Sequence, residues 1–587
     1  MKISSYFLLL FLLLFAACNQ LPITTDKAKN LHDLFKEDWE WQLKEFPEMA
    51  TRQGDNRYND KLTDISLEAI EKRKTHDQEM LTKIQAIDRS KLIGQDTISC
   101  DLFLRDTQMA LDGHRFKEDF APITQMNGPQ IDFPGVLDDM PLRTVKDYEN
   151  YLARLNAYPK YIEQAIGLMQ RGITEKWVKP AVPLRTVPAQ IEGQIFDDPT
   201  KSASFKPFTK FPSEIPETER PRLIEAAKKA LNESFTPALK KLHGFVKDTY
   251  LPACTQSIAV SELPAGKDYY AYAAKRETTT NLTPQEIHDI GKREVERIRK
   301  EMDAVIQQAG FKGSFQEFLT SLRTDPRFYF TKPEDLLSAT ALIAKRADAE
   351  LPKLFAELPR NTYGIKAFAD YEAPAQTTGQ YRLGASDGSR SGTYMVNTYR
   401  LDMRPKYEME ALSLHESVPG HHLQIARAQE LKDLPEFRRN GGYTAFVEGW
   451  GLYSESLGAE MGFYTDPYSK FGQLTYEMWR ACRLVVDTGM HTRGWTREQA
   501  INFMKENTAK SEQDIIVEID RYIVWPGQAL AYKIGELKIK ELRAKAKQEL
   551  GDKFDVRKFH NAMLDDGPLP LEVLEKRIGE WIVAQKK

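Results

Sequence analysis

Cysteine is scarce: four in 587 residues, at positions 18, 100, 254 and 482. So few, spread so widely, exclude both a disulfide framework and a cysteine metal cluster. Cys100, Cys254 and Cys482 are expected as buried, inert thiols. An excess of positive charge is also missing, since 82 Lys and Arg stand against 85 Asp and Glu for a net charge of −3. That leaves no basic footprint for nucleic acid. Internal repeats, low-complexity tracts and an obvious linker are absent as well. Long apolar runs are missing everywhere except at the start of the chain. What remains is an ordinary globular balance, 41% hydrophobic and 28% charged, able to bury a large core.

The one apolar run, Tyr6 to Ala17, follows Met1-Lys2. At about 12 residues it is too short to span a bilayer as a helix and the right length for the apolar part of a secretory signal. It ends in Phe15-Ala16-Ala17-Cys18, small residues before a cysteine, which resembles the lipobox of bacterial lipoproteins. The expected layout is a signal peptide over 1–17, a lipidated Cys18 with a polar tether over 18–28, and one domain over 29–587. A lipid on Cys18 would anchor the chain to a membrane of the cell envelope. Asn19, where Asp would favour retention at the inner membrane, points to the outer one.

Helical spacing dominates from Leu31 onward: Leu31, Leu34, Phe35 and Trp39 share a face, as do Leu152, Leu155 and Tyr158, and Ile224, Ala227 and Leu231. Thr283-Pro284-Gln285-Glu286 sets a cap residue before a proline at the first helical position, and the stretches starting at Thr331 and Thr496 are variants. Strand signal is thin. Its best case is Gly392 to Tyr399, behind the Gly- and Ser-rich stretch 384–391. The proline-rich segments 179–188 and 205–221 read as surface connections. The fold class expected is mostly α, one large unit with a small β element and two lobes around a cleft.

The chemistry concentrates in His415-Glu416-Ser417-Val418-Pro419-Gly420-His421-His422. Hydrolysis of an amide needs a polarised carbonyl and an activated water, and a zinc ion with an open position supplies both. A His followed by Glu, with a second His one helical turn on, is the usual frame, with the Glu taking a proton from water. Here Pro419 occupies the place of the second His. Its ring clashes with the carbonyl of His415, and Gly420 then frees the backbone, so the helix should break or bulge. An undistorted helix would select His422 as second ligand. A two-residue bulge at Ser417-Val418 brings His421 into line instead, and Pro419 favours that. The third ligand is sought among carboxylates on a following helix. Glu448 lies between Ala445, Phe446, Val447 and Trp450, where a bare carboxylate is costly unless bound. Glu455, seven residues on and on the same face, would buttress a ligand from behind.

His-Glu-x-x-Pro-Gly-His-His followed by Phe446-Val447-Glu448-Gly449-Trp450 resembles the bacterial domain-of-unknown-function 885 family, many of whose members are lipoproteins. The stretches 269–280, 494–500 and 526–535 look like the same family, so the resemblance covers most of the mature chain. That family in turn is similar to helical zinc peptidases: thimet-type oligopeptidases, Taq-type carboxypeptidases and angiotensin-converting enzyme. The resemblance implies a helical zincin-like fold with a small β element beside the metal-site helix. Matching the oligopeptidase Gly-His to Gly420-His421 makes His421 the ligand and leaves two inserted residues. The oligopeptidase Phe-Val-Glu matches Phe446-Val447-Glu448. Tyr532 resembles the tyrosine that steadies the oxyanion, with His491 as a second donor and Tyr522 and Arg521 behind them. By the same analogy Gly392 to Met395 would pair with an extended substrate, and Arg521 could grip a substrate carboxylate.

The expectation is therefore a zinc-dependent hydrolase, a metallopeptidase cleaving short peptides. Zn2+ would sit on His415, His421 and Glu448, with Glu416 as base and Tyr532 and His491 as oxyanion donors. Two rivals stand beside it: a zinc hydrolase of a non-peptide amide or ester, and a zinc-holding envelope binding protein without turnover.

Overall fold

A computed structural model describes residues 26–370 and 373–587 of the chain. The expected signal peptide and Cys18 lie outside the described residues. Helix α1 (Asp26–Glu45) is the first described element. The long amphipathic α2 (Val145–Glu175) is started by a reciprocal capping box between Thr144 and Asp147. The same device, with Pro284 in the first turn, starts α3 (Pro284–Gln308) as the Thr283-to-Glu286 pattern implies. Thr496 and Gln499 form another for the helix Arg497–Asn507. The variant at Thr331 differs: α4 (Pro333–Leu354) begins after Lys332, without a side-chain cap.

Three short strands follow: β1 (Tyr363–Ala367), β2 (Gly379–Arg382) and β3 (Gly392–Val396). Their order is β1-β3-β2, with β3 parallel to β1 and antiparallel to β2. The strand expected to receive substrate is thus the central one. Both its edges are already paired, and the outer edge of β2 is the one that meets the metal motif, through the Tyr381 N–H. The remaining helices that build the site are α5 (Met409–Glu416), α6 (His421–Gln429), α7 (Thr444–Leu457), α8 (Pro467–Thr492), α9 (Glu512–Val524) and α10 (Ala531–Leu550).

Two large hydrophobic clusters hold the fold. One packs α2 against the helices up to Cys254, and the other joins the C-terminal helices to α3, α4 and the sheet. The proline-rich segment 179–188 is part of the first and not a surface connection, whereas 209–221 is mostly exposed, as expected, apart from Ile215. Leu184, Val187 and Ile191 between the prolines are fully buried, as are Phe205 and Phe208 beyond them. Pro188 opens the short helix Val187–Glu192 at a position where its missing N–H costs nothing. Cys100, Cys254 and Cys482 are free and buried. No helix among the described residues is long and apolar enough to cross a membrane.

Candidate metal centre

The motif helix breaks where Pro419 requires it. Helix α5 ends at Glu416 and α6 begins at His421, with Ser417–Gly420 as a loop between them and a cis Val418–Pro419 peptide. A Cβ on Gly420 would lie 1.9 Å from the His415 carbonyl oxygen, so only glycine passes there. The Trp450 indole N–H donates to the Pro419 carbonyl at 2.8 Å, which pins the loop to α7. The break turns the chain so that His421, not His422, faces His415. Their rings meet edge to face with centroids 4.6 Å apart.

Glu448 completes the group. One imidazole nitrogen of His415, one of His421 and a Glu448 carboxylate oxygen lie within 4.8 Å of one another. Glu448 Oε2 stands 3.5 Å from His415 Nε2 and 3.4 Å from His421 Nε2, and it has no hydrogen-bond partner. Those distances are long for a charge-assisted hydrogen bond. They match the ~3.3 Å edge of a tetrahedron of ligands around zinc at 2.0–2.1 Å. The donor set, two imidazoles and a carboxylate, is one that zinc takes. The residues therefore fit a zinc ion.

Electrostatics point the same way. Burial alone would drive the proton off His415, but Glu448 and Glu455 outweigh it and hold the pKa up to about 9. Burial works against the Glu448 carboxylate, and His421 and His415 outweigh that and keep it well below the usual range. The Glu448 charge is thus balanced by a proton on His415, and a bound cation would take that proton's place.

Glu455 supports from behind. It is fully buried, its Oε1 accepts from His415 Nδ1–H at 2.8 Å, and Arg480 Nη2 stands 3.1 Å from the same oxygen. Because a carboxylate only accepts, this keeps the Nδ1 proton of His415 in place and leaves Nε2, on the Glu448 side, as the atom that could take a metal. Gly451 makes room for the ring, since a Cβ there would lie 2.7–3.0 Å from three of its atoms.

The neighbouring groups line one cavity of about 600 Å3 with His415, His421 and Glu448. Glu416 is nearly buried, and its Oε2 accepts from the Tyr381 backbone N–H of β2 at 2.7 Å. Tyr381 is itself held by His422, whose Nδ1 lies 3.0 Å from the phenol oxygen. Gly392 leaves space for that phenol, which a Cβ would approach to 2.2 Å. His422 points away from the metal group, and burial pushes its pKa down to about 4. Tyr532 arrives on α10, which touches α7 backbone to backbone at Gly535 and Gly449. A Cβ on Gly535 would lie 1.8 Å from the Ala445 carbonyl oxygen. The Tyr532 ring stacks on His415 at 6.4 Å, and burial, then Glu448, raises its phenol pKa.

His491 is not brought to this group. It is fully buried at the far end of α8, where Nδ1 accepts from the Val260 N–H at 3.2 Å and Nε2 donates to the Tyr522 carbonyl at 3.1 Å. Both nitrogens are engaged by backbone, so the expected donor role is withdrawn. Tyr522 is likewise committed, donating to Glu518 at 2.6 Å. Arg521 does line the cavity. Arg480 and Arg483, unmarked by the sequence reading, line it too. Their signal was present: two charges three apart inside the apolar run from Trp479 to Val486, the same pattern that marked Glu448.

The family profile described as bacterial protein of unknown function (DUF885) matches residues 47–578. The chain belongs to this family. Among solved structures it is similar to a candidate lipoprotein from Colwellia psychrerythraea, with 30% identity and a TM-score of 0.90 over 96% of this chain and 100% of that one. It also shares its fold with a candidate lipoprotein of unknown function from Shewanella oneidensis, at 18% identity and a TM-score of 0.67 over 93% of this chain and 98% of the other. No curated protein matches this DUF885 member.

Proposed function

We propose that this protein is a zinc-dependent hydrolase, a metallopeptidase acting on short peptides. The observation that carries the reading is the convergence of His415, His421 and Glu448 at ligand spacing, with Glu416 beside them in the same cavity. Likeness of the motif to helical zinc peptidases supports it. So does the cavity wall, one side of which comes from residues 126–139 and the other from residues 376–532, read here as two lobes of a zincin-like fold around a cleft.

A zinc ion on His415, His421 and Glu448 would polarise the substrate carbonyl and lower the pKa of water. The chain's own residues do the rest. The Tyr381 N–H holds one oxygen of Glu416 and leaves the other to take a proton from water and return it to the leaving amine. Gln528 donates to the Tyr532 oxygen at 3.4 Å, so the phenol hydrogen remains for a developing oxyanion. A lipid on Cys18 would hold the enzyme at the envelope membrane, as the candidate-lipoprotein description of both structural neighbours suggests.

The test is mass spectrometry of a synthetic peptide pool incubated with the purified protein. Cleavage that chelator abolishes and zinc restores is expected, with turnover falling at least ~100-fold in Glu416→Gln while zinc content stays the same. Cleavage indifferent to chelator, or an uncut pool, contradicts the reading.

A further inference from the structure

The histidine pair of the motif leaves one ring without a task at the metal group. His421 faces that group, and His422, 2% exposed, turns to the sheet and lies outside the cavity lining. Its ring sits against both outer strands, with centroids 4.5 Å from Tyr363 of β1 and 5.6 Å from Tyr381 of β2. The central strand makes room for this, because Gly392, the β3 partner of Tyr363, has no side chain where the Tyr381 phenol lies. The contacts are directional as well as apolar. The Asn361 backbone hydrogen-bonds the His422 ring, and Nδ1 meets the Tyr381 phenol oxygen at 3.0 Å. Tyr363 is tied in turn to Asp348 of α4 at 3.2 Å. A buried ring satisfied on several sides is a fixed anchor.

Tyr381 joins this anchor to Glu416. Its hydroxyl reaches His422, the second residue of α6, and its N–H donates at 2.7 Å to Glu416, the last residue of α5. One residue of β2 thus spans both sides of the break at Pro419. The N–H lies on the outer edge of β2, where no other strand pairs with it. Among the described residues it makes the one hydrogen bond to the Glu416 carboxylate. Where β2 is held therefore decides where Glu416 is held.

Resting on the peptidase reading, we propose that His422 is a positioning residue for the base: by holding the Tyr381 phenol it fixes β2 against α6, and with it the N–H that keeps Glu416 beside the metal group. The two histidines of the motif then divide the work. His421 offers a ligand, and His422 sets the base against it across the break in the helix.

Hydrogen exchange at the Tyr381 amide reports the bond to Glu416 without turnover or metal. It is read by mass spectrometry with electron-transfer fragmentation on the zinc-free full chain. The parent is compared with Tyr381→Phe, which loses only the hydroxyl, and with His422→Ala, and Glu416→Ala serves as the control for a lost acceptor. Exchange at residue 381 is expected to quicken at least ~tenfold in Tyr381→Phe and His422→Ala, toward the Glu416→Ala rate, while the paired amides of β3 keep the parent rate. In the zinc-loaded proteins, kcat for a cleaved peptide is expected to fall at least ~tenfold in the same two variants, with KM within ~twofold and zinc content unchanged. Exchange at the parent rate in either variant overturns the proposal. So does quickening that spreads evenly through β3, or a kcat that does not move. A protein that cuts no peptide removes the peptidase reading, and the exchange rates then decide the positioning by themselves.

Discussion

The metal motif is a pattern of residues whose roles were separable by elementary sterics. Pro419 cannot continue a helix through His415, so the second histidine had to come from beyond a break. The structure places His421 in the group and His422 behind Tyr381. Glu448 and Glu455 were legible because a carboxylate among apolar residues needs a partner. Glu455 yields a direct prediction. Glu455→Ala removes the acceptor that orients His415 and leaves Arg480 unpaired, so zinc affinity should fall ~10–100-fold in chelator competition. Glu455→Gln, which still accepts from Nδ1–H, should fall less. Unchanged affinity in the alanine variant would show that Glu455 does not orient the ligand. His491 marks the limit of such reading. A histidine near a Gly-Trp turn looks the same in sequence whether it faces a cleft or bridges two backbone groups, and here it bridges.

At the level of elements, glycines decide how closely helices approach the site. Gly451 lets α7 pass under the His415 ring, and Gly535 lets α10 touch α7 at Gly449. Neither shows in periodicity, because the partner of each glycine lies on another part of the chain. Alanine in an exposed helix would add about 1 kcal/mol of stability over glycine. Gly451→Ala is expected to do the opposite where it matters: its methyl displaces the His415 ring, and zinc affinity falls at least tenfold with helix content unchanged. A variant that binds zinc as well as the parent contradicts this packing. The sheet was legible only in part. Gly392 to Val396 is a strand, three residues shorter than the Gly392 to Tyr399 expected, but strand order cannot be read from a single strand. The edge that meets the cavity belongs to β2, whose four residues carry almost no signal.

Across the whole molecule, helical dominance was plain from spacing and capping. The burial of the proline-rich segment 179–188 was not, since prolines read as breakers until their apolar neighbours find a core. The convergence of Arg480, Arg483 and Arg521 with Glu518 escaped for a similar reason: α8 and α9 are separate in sequence and meet only in the fold.

One buried group links the whole fold to pH. Asp487 is fully buried between Tyr270 and Gly527, and burial pushes its pKa up to about 7 against those two hydrogen bonds. The native state therefore holds this proton more tightly than the unfolded chain. The stability from this group is fully present below the unfolded value near pH 4 and is lost as pH rises through about 7. Thermal unfolding of the apo protein from pH 4 to 8 is expected to show that component, and Asp487→Asn is expected to remove it. Parallel curves for parent and variant would refute it.

The proposed function stands on one zinc ion held by His415, His421 and Glu448. Metal analysis of purified, dialysed protein by inductively coupled plasma mass spectrometry tests it most directly, across the parent, His421→Ala, His422→Ala and Glu448→Ala. One zinc per chain is expected in the parent and in His422→Ala, and none in the other two. A parent without stoichiometric zinc, or a His421→Ala protein that keeps it, would rule out this site.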